Sequence, residues 1–146
     1  MYRKKSLGGM GFALAAGLAI AAAGAGSHPA RADGRGCSAW GVINTPKGKL
    51  PAGGICLQVF GSGLKIYYMD ANWFAPQLCN WRIDWVIYSN GKAWWRDKGP
   101  VHGCNNAHGN RIRTAGSAPD HSDLCAELYE AAQGIKIDAA CVSIYR

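Results

Sequence analysis

The chain has 146 residues, of which 49% are hydrophobic, and a formal net charge of +7 at pH 7. Four of its 16 Lys and Arg residues lie in residues 1–32 and all nine acidic residues lie beyond them, so residues 33–146 carry only +3. Because that charge is small and the basic residues are scattered singly, we expect no nucleic-acid partner. The length after residue 32 is that of one domain.

Residues 1–32 have the pattern of a secretory signal peptide. A basic start at residues 3–5 precedes an apolar run over residues 12–26, and Ala30-Arg31-Ala32 supplies a small-residue cleavage motif. The run is shorter than a typical transmembrane helix. The alternative is a signal anchor that is not cleaved. We therefore predict cleavage after Ala32, secretion of residues 33–146 as a single extracellular domain, and no membrane association after cleavage.

All six cysteines lie beyond the predicted signal peptide. An even number of cysteines in a short exported domain predicts a disulfide framework, and six cysteines allow 15 pairings. The predicted hairpins described next favour two pairs and leave the remaining two cysteines for each other. The predicted bridges are Cys37–Cys56, Cys79–Cys104 and Cys125–Cys141.

Short alternating runs separated by Gly and Pro predict a mainly β domain. The runs at residues 55–60 and 64–69 are separated by Gly61-Ser62-Gly63, which predicts a hairpin. Many short strands with turn residues between them are typical of a small antiparallel sandwich or barrel-like sheet. We predict such a fold, held by three disulfides.

Residues 81–98 form the best-defined predicted hairpin, with a turn at Asn90-Gly91. A two-residue loop would set Asp84 opposite Asp97. A three-residue loop would set Asp84 opposite Arg96 and one Trp opposite another. Since opposite charges and aromatic pairs stabilise cross-strand neighbours, the three-residue loop is favoured. In that register Cys79 falls opposite residue 101, from which a small loop would bring Cys104 within bridging range.

The C-terminal segment permits two interpretations. If residues 124–130 and 135–144 pair across residues 131–134, Cys125 lies opposite residue 140, next to Cys141. The alternative is one short helix near residues 123–133, because the segment is rich in helix formers and is followed by Gly134.

Three histidines and two carboxylates are candidates for acid–base chemistry. A small secreted hydrolase acting on RNA or another anionic polymer could use His102, His108 or His121 with Glu127 or Asp120. No catalytic motif with a constrained spacing accompanies them, so we assign no catalytic residue. A metal site at His102, Cys104 and His108 would need a free thiolate, whereas an exported cysteine favours a disulfide. We expect no metal and no other cofactor.

The sequence Trp94-Trp95-Arg96 is the strongest local indication of a binding surface. Neighbouring strand residues point to opposite faces, so at most one of the two rings can join a given core. An exposed Trp beside Arg and Lys is typical of a contact surface, unless both faces of the sheet are covered. We predict a monomer that binds an extracellular protein or glycan, as a binding, inhibitor or effector protein. Its contact residues are Trp94, Trp95, Arg96, Lys98 and His102.

Residues 111–114 alternate basic and neutral side chains, with Arg111 and Arg113 as the basic residues, which predicts a strand with one solvent-exposed face.

Four short segments carry a resemblance. They are Cys-Asn-Trp-Arg-Ile-Asp-Trp at residues 79–85, His-Gly-Cys at 102–104, Leu-Cys-Ala-Glu-Leu-Tyr at 124–129 and Cys-Val-Ser-Ile at 141–144. Residues 53–146 resemble small secreted cysteine-containing proteins of actinomycete type with no assigned function. The resemblance implies an exported small domain in a Gram-positive host and supplies no site residue.

Overall fold

The computed structural model describes residues 33–114 and 116–146, and the predicted signal peptide at residues 1–32 lies outside them. The described residues form ten strands and no helix. No helix in that part of the chain is therefore long and apolar enough to cross a membrane. The strands are β1 (Gly34–Trp40), β2 (Ile43–Thr45), β3 (Gly48–Leu50), β4 (Gly53–Ser62), β5 (Lys65–Leu78), β6 (Trp81–Ser89), β7 (Lys92–Asp97), β8 (Asn105–Thr114), β9 (Ser122–Glu130) and β10 (Ile135–Ile144).

Two four-stranded antiparallel sheets form a sandwich, as the sequence predicts. One sheet has the order β1-β4-β5-β8 and the other β10-β9-β6-β7, while β2 and β3 form a separate hairpin. Alternate residues of the strands point between the sheets and build one apolar core. Trp73 of β5 and Trp85 of β6 are among its largest fully buried side chains.

The predicted hairpin between β4 and β5 is confirmed, whereas the predicted register of β6 and β7 is wrong. Ser89 pairs with Lys92, so the loop has two residues, Asn90 and Gly91. Both have positive φ, 51° and 72°. This is the turn whose twist matches that of the flanking strands, and Asn-Gly adopts it readily.

A β-bulge in β7 shifts the pairing once more, so that Ile87 faces Trp95. Asp84 therefore faces neither Arg96 nor Asp97. The opposite charges still meet, since Arg96 Nη1 lies 3.4 Å from Asp84 Oδ2. They do so across the sheet face rather than as directly opposed residues.

The helix alternative near residues 123–133 is wrong, because β9 occupies most of this segment and pairs with both β6 and β10. Apolar side chains of β9 such as Leu124 and Leu128 are buried in the core. Packing therefore overrides local helix propensity. A bulge between Lys136 and Asp138 shifts the register by one residue and sets Cys141 directly opposite Cys125.

Three disulfides join Cys37 to Cys56, Cys79 to Cys104 and Cys125 to Cys141, which are the three pairs that the sequence favours. The first and third link directly opposed residues on neighbouring strands. The second lies one residue beyond the last pair of the β5–β8 ladder, Leu78 with Asn105. The expected reason for that pair, an extended β6–β7 hairpin, is therefore wrong. Each bridge joins neighbours within one sheet or its extension.

The two side edges of the sandwich close in different ways. On one side β1 packs against β10. A Cβ at Gly36 would collide there with the backbone carbonyl of Cys141. On the other side, Arg111 and Arg113 of β8 both form ion pairs with Asp97 of β7. The first edge is thus closed by direct backbone contact and the second by long charged side chains.

Candidate functional site: a tryptophan pocket at the sandwich edge

The bulge in β7 places two neighbouring Trp rings beside one pocket. Tyr88 pairs with Ala93 and Ile87 pairs with Trp95, so Trp94 is the extra residue of the bulge. The strict alternation that the sequence argument assumed is broken here, and both rings line the same cavity. Trp95 packs against the core, whereas Trp94 is 58% exposed.

This cavity, the tryptophan pocket, has a volume of about 230 Å³. Its floor consists of Ile66, Met69 and Ile87, which belong to the hydrophobic core. The whole pocket is lined by Ile66, Met69, Ile87, Trp94, Trp95, Arg113, Gly116 and Ser117. The core is therefore reachable from the surface at this edge.

Arginine side chains give the rim of the tryptophan pocket a positive charge. The guanidinium of Arg113 lies over the ring of Trp95, 4.8 Å from its centroid. Arg113 and Arg111 share the single carboxylate of Asp97, with Arg111 Nη2 at 2.6 Å from Asp97 Oδ2. Two cations against one anion leave a net charge of +1, and no carboxylate of the described residues lines the pocket.

Sequence reasoning missed Arg113 as a pocket residue. The predicted strand with one solvent-exposed face is found in β8, but its exposed residues there are Ile112 and Thr114, whereas Arg111 and Arg113 are partly buried on the side of the sheet that faces β7. The intervening Ile112 points outward and is 59% exposed. The sequence offered one signal: Arg111 and Arg113 lie two and four residues after Gly109, and residues with this spacing share one face of a strand. In the structure Gly109 is buried, so the two Arg side chains lie on the inward side.

The other predicted contact residues lie outside the tryptophan pocket. Arg96 points to the outer face of its sheet, and Lys98 is exposed just beyond β7. The ring of His102 stacks on Trp81 with centroids 4.0 Å apart. Since Trp81 is six residues before Ile87 along β6, this stack is about 20 Å from the pocket. The structure brings together Trp94 and Trp95 but separates them from His102.

A buried charged cluster covers the outer face of the β10-β9-β6-β7 sheet. Glu127 and Asp84 are direct cross-strand partners, and both are almost fully buried. The Glu127 oxygens accept hydrogen bonds at 2.6–2.8 Å from Tyr88 Oη, Lys136 Nζ, Arg96 Nη1 and Tyr129 Oη. Burial alone would raise the pKa of Glu127, but these hydrogen bonds outweigh it and lower the pKa from 4.5 to about 2.

The candidate hydrolase residues do not converge. The donors to Glu127 include no His, and His108 lies on β8 opposite Phe74. His121 lies 3.3 Å from its neighbour Asp120 in an exposed turn. Cys104 is oxidised in a disulfide and is therefore not a thiolate ligand for zinc.

No protein-family model matches the chain, and no curated protein matches it either. The resemblance to small secreted cysteine-containing proteins of actinomycete type stays a prediction.

Proposed function

We propose that the protein is an extracellular binding domain, an inhibitor or effector, that docks on a partner protein through the tryptophan pocket. The proposal rests mainly on the exposure of Trp94. Its side chain is 58% exposed at the rim of a pocket whose floor is part of the hydrophobic core. Trp and Arg are the side chains most enriched among residues that dominate binding energy. Trp94 and Arg113 both lie at this rim.

The chemistry of the tryptophan pocket favours an acidic protein segment that presents one apolar side chain. A volume of about 230 Å³ is below the roughly 300–1,000 Å³ of sites for drug-sized ligands, and it suits a single inserted side chain. The floor is apolar, so insertion of Leu, Ile or Phe is driven by burial. The net positive charge at Arg111, Arg113 and Asp97 attracts carboxylates that flank this residue.

The covalent framework supports an extracellular location. All six cysteines of a domain of 114 residues are paired, and such bridges form and persist in oxidising compartments.

A random peptide library displayed on phage, selected on the oxidised protein, tests the proposal. The recovered sequences should share one large apolar residue flanked by Asp or Glu. Synthetic peptides should then bind with an affinity that falls roughly tenfold or more in W94A, measured by fluorescence anisotropy.

Phe74→Ala is the matched control, because Phe74 is another exposed aromatic residue but lies outside the pocket. This variant should bind the peptides as the wild type does. Recovery of no common sequence, or equal affinities for W94A and wild type, would contradict the proposal. The contact between His121 and its sequence neighbour Asp120 lies in an exposed turn and includes no third candidate residue, so it does not favour the alternative of a hydrolase.

A further inference from the structure

A second cavity, the lysine cleft, lies where three turns meet and differs in chemistry from the tryptophan pocket. It has a volume of about 510 Å³, within the range of sites for small organic ligands. Its walls come from the β2–β3 hairpin, the β5–β6 turn and the β9–β10 turn. Its lining residues are Lys47, Lys49, Leu50, Pro51, Pro76, Gln77, Leu78, Cys79, Asn80, Glu130, Ala132 and Gln133.

The wall formed by the β5–β6 turn is held by a disulfide and by backbone hydrogen bonds. The Cys79–Cys104 bridge ties this turn to the start of β8. Asn80 has a φ of +51°, and its N–H donates to Gly103 O while its carbonyl accepts from Ala131 N–H. These contacts hold the turn and place the Asn80 side chain at the cleft.

The opposite wall, the β2–β3 hairpin, is anchored to the sandwich. The indole N–H of Trp40 donates to Pro51 O at 2.8 Å, and Ile43 and Leu50 pack against the core. Lys47 and Lys49 on this hairpin are exposed, so their ammonium groups are accessible to a ligand. The backbone of both walls is therefore held in place, and the long side chains of Lys47 and Lys49 extend from it into solvent.

The electrostatic balance of the lysine cleft is positive. Lys47 and Lys49 contribute two cations, and Glu130 is the one carboxylate among the described lining residues. That carboxylate already accepts hydrogen bonds from the backbone N–H groups of Ala132 and Gln133, at 3.1 and 2.9 Å. It caps its own turn, so the two lysines are left to attract an anion.

The uncharged polar lining narrows the class of anion. Gln77, Asn80 and Gln133 carry carboxamides, each with N–H donors and an oxygen acceptor. Gln77 Nε2 already donates one N–H to Asn106 Oδ1, 3.0 Å away, which leaves its second N–H and its oxygen for a ligand. A sugar hydroxyl donates and accepts at one atom and matches this pattern, whereas an inorganic phosphate oxyanion needs only donors. The adjacent Pro51 and Pro76 supply apolar surface for the C–H face of a sugar ring.

We propose that the lysine cleft binds an acidic saccharide whose sugars carry uronate carboxylates. Lys47 and Lys49 form ion pairs with the carboxylates, and the carboxamides of Gln77, Asn80 and Gln133 bind hydroxyls. This site does not depend on the tryptophan pocket, so the protein could hold an acidic glycan and a protein partner together.

Isothermal titration calorimetry with three probes tests the proposal: a galacturonic acid trimer, its neutral methyl ester, and inorganic phosphate. The acidic trimer should bind the oxidised wild type, and K47Q/K49Q should weaken it roughly tenfold or more. K65Q/K92Q, which changes two exposed lysines outside the cleft, should bind as the wild type does. W94A should also retain binding, which separates this site from the proposed protein contact.

Several results would overturn the assignment. Equal affinity for the neutral ester would contradict the role of the two lysines, and equal affinity for phosphate would indicate a plain anion site. No heat of binding with the acidic trimer would also refute it. Thermal unfolding of each variant shows whether it is folded, and neutral exchanges at exposed lysines should leave the melting temperature within a few degrees.

Discussion

Glu127 and Asp84 are two carboxylates placed side by side on neighbouring strands, an arrangement that would be unfavourable without counter-charges. Arg96 contacts both of them, at 2.8 and 3.4 Å, and Arg82 Nε lies 3.0 Å from Asp84. Lys136 adds a third cation. Like-charge repulsion is thereby offset within the cluster, which fits a role in holding strands β6, β7, β9 and β10 together.

The lowered pKa of Glu127 predicts a loss of stability in acid. Its pKa is about 2 in the folded protein against an ordinary 4.5, so folding favours the ionised form. The stabilisation is complete above pH 4.5 and disappears as the pH falls through 2, for a total of about 3 kcal/mol. Urea unfolding between pH 5 and pH 2 should show a steeper loss for the wild type than for E127Q. Parallel curves would contradict this role of Glu127.

At the level of strands, the sequence predicts the hairpins but not their registers. Gly and Asn at the turns mark where β4 meets β5 and where β6 meets β7. The bulges at Trp94 and near Ile137 carry no Gly or Pro at the bulged position that would mark them in the sequence. The register predicted from opposed charges is wrong because Arg96 reaches Asp84 from a neighbouring position, which its long side chain permits.

The edge between β1 and β10 depends on a residue without a side chain. A methyl group at Gly36 would collide with the Cys141 carbonyl, and backbone cannot move as easily as a flexible side chain. G36A should therefore lower the free energy of unfolding by about 2 kcal/mol. Urea denaturation measures it, with G41A as the control because a Cβ at Gly41 meets open space. A G36A value within roughly 0.5 kcal/mol of the wild type would contradict this close contact.

In the molecule as a whole, the disulfides and the core stabilise different contacts. The bridges join neighbouring strands, and the two sheets are held against each other mainly by the buried apolar core. The sequence predicts the sandwich, since alternating runs and paired cysteines are local features. The tryptophan pocket could be predicted only in part, because Trp94 and Arg113 meet there only once β7 lies beside β8.

Removal of any one bridge should destabilise the protein by a similar amount. The bridged residues are 19, 25 and 16 positions apart, and the entropy of a closed loop changes slowly with its length. Each Cys→Ala pair variant should lose about 3 kcal/mol in urea unfolding. If one pair variant were as stable as the wild type, that bridge would not constrain the unfolded chain as proposed.

The most direct test of the proposed function is a ¹H–¹⁵N NMR titration that follows the six Trp indole N–H signals while a selected acidic peptide is added. We expect the signals of Trp94 and Trp95 to shift, because both rings line the pocket. The signal of Trp40 should stay in place, since its indole is bonded to Pro51 in another part of the molecule. Unchanged Trp94 and Trp95 signals in the presence of bound peptide would contradict docking through the tryptophan pocket.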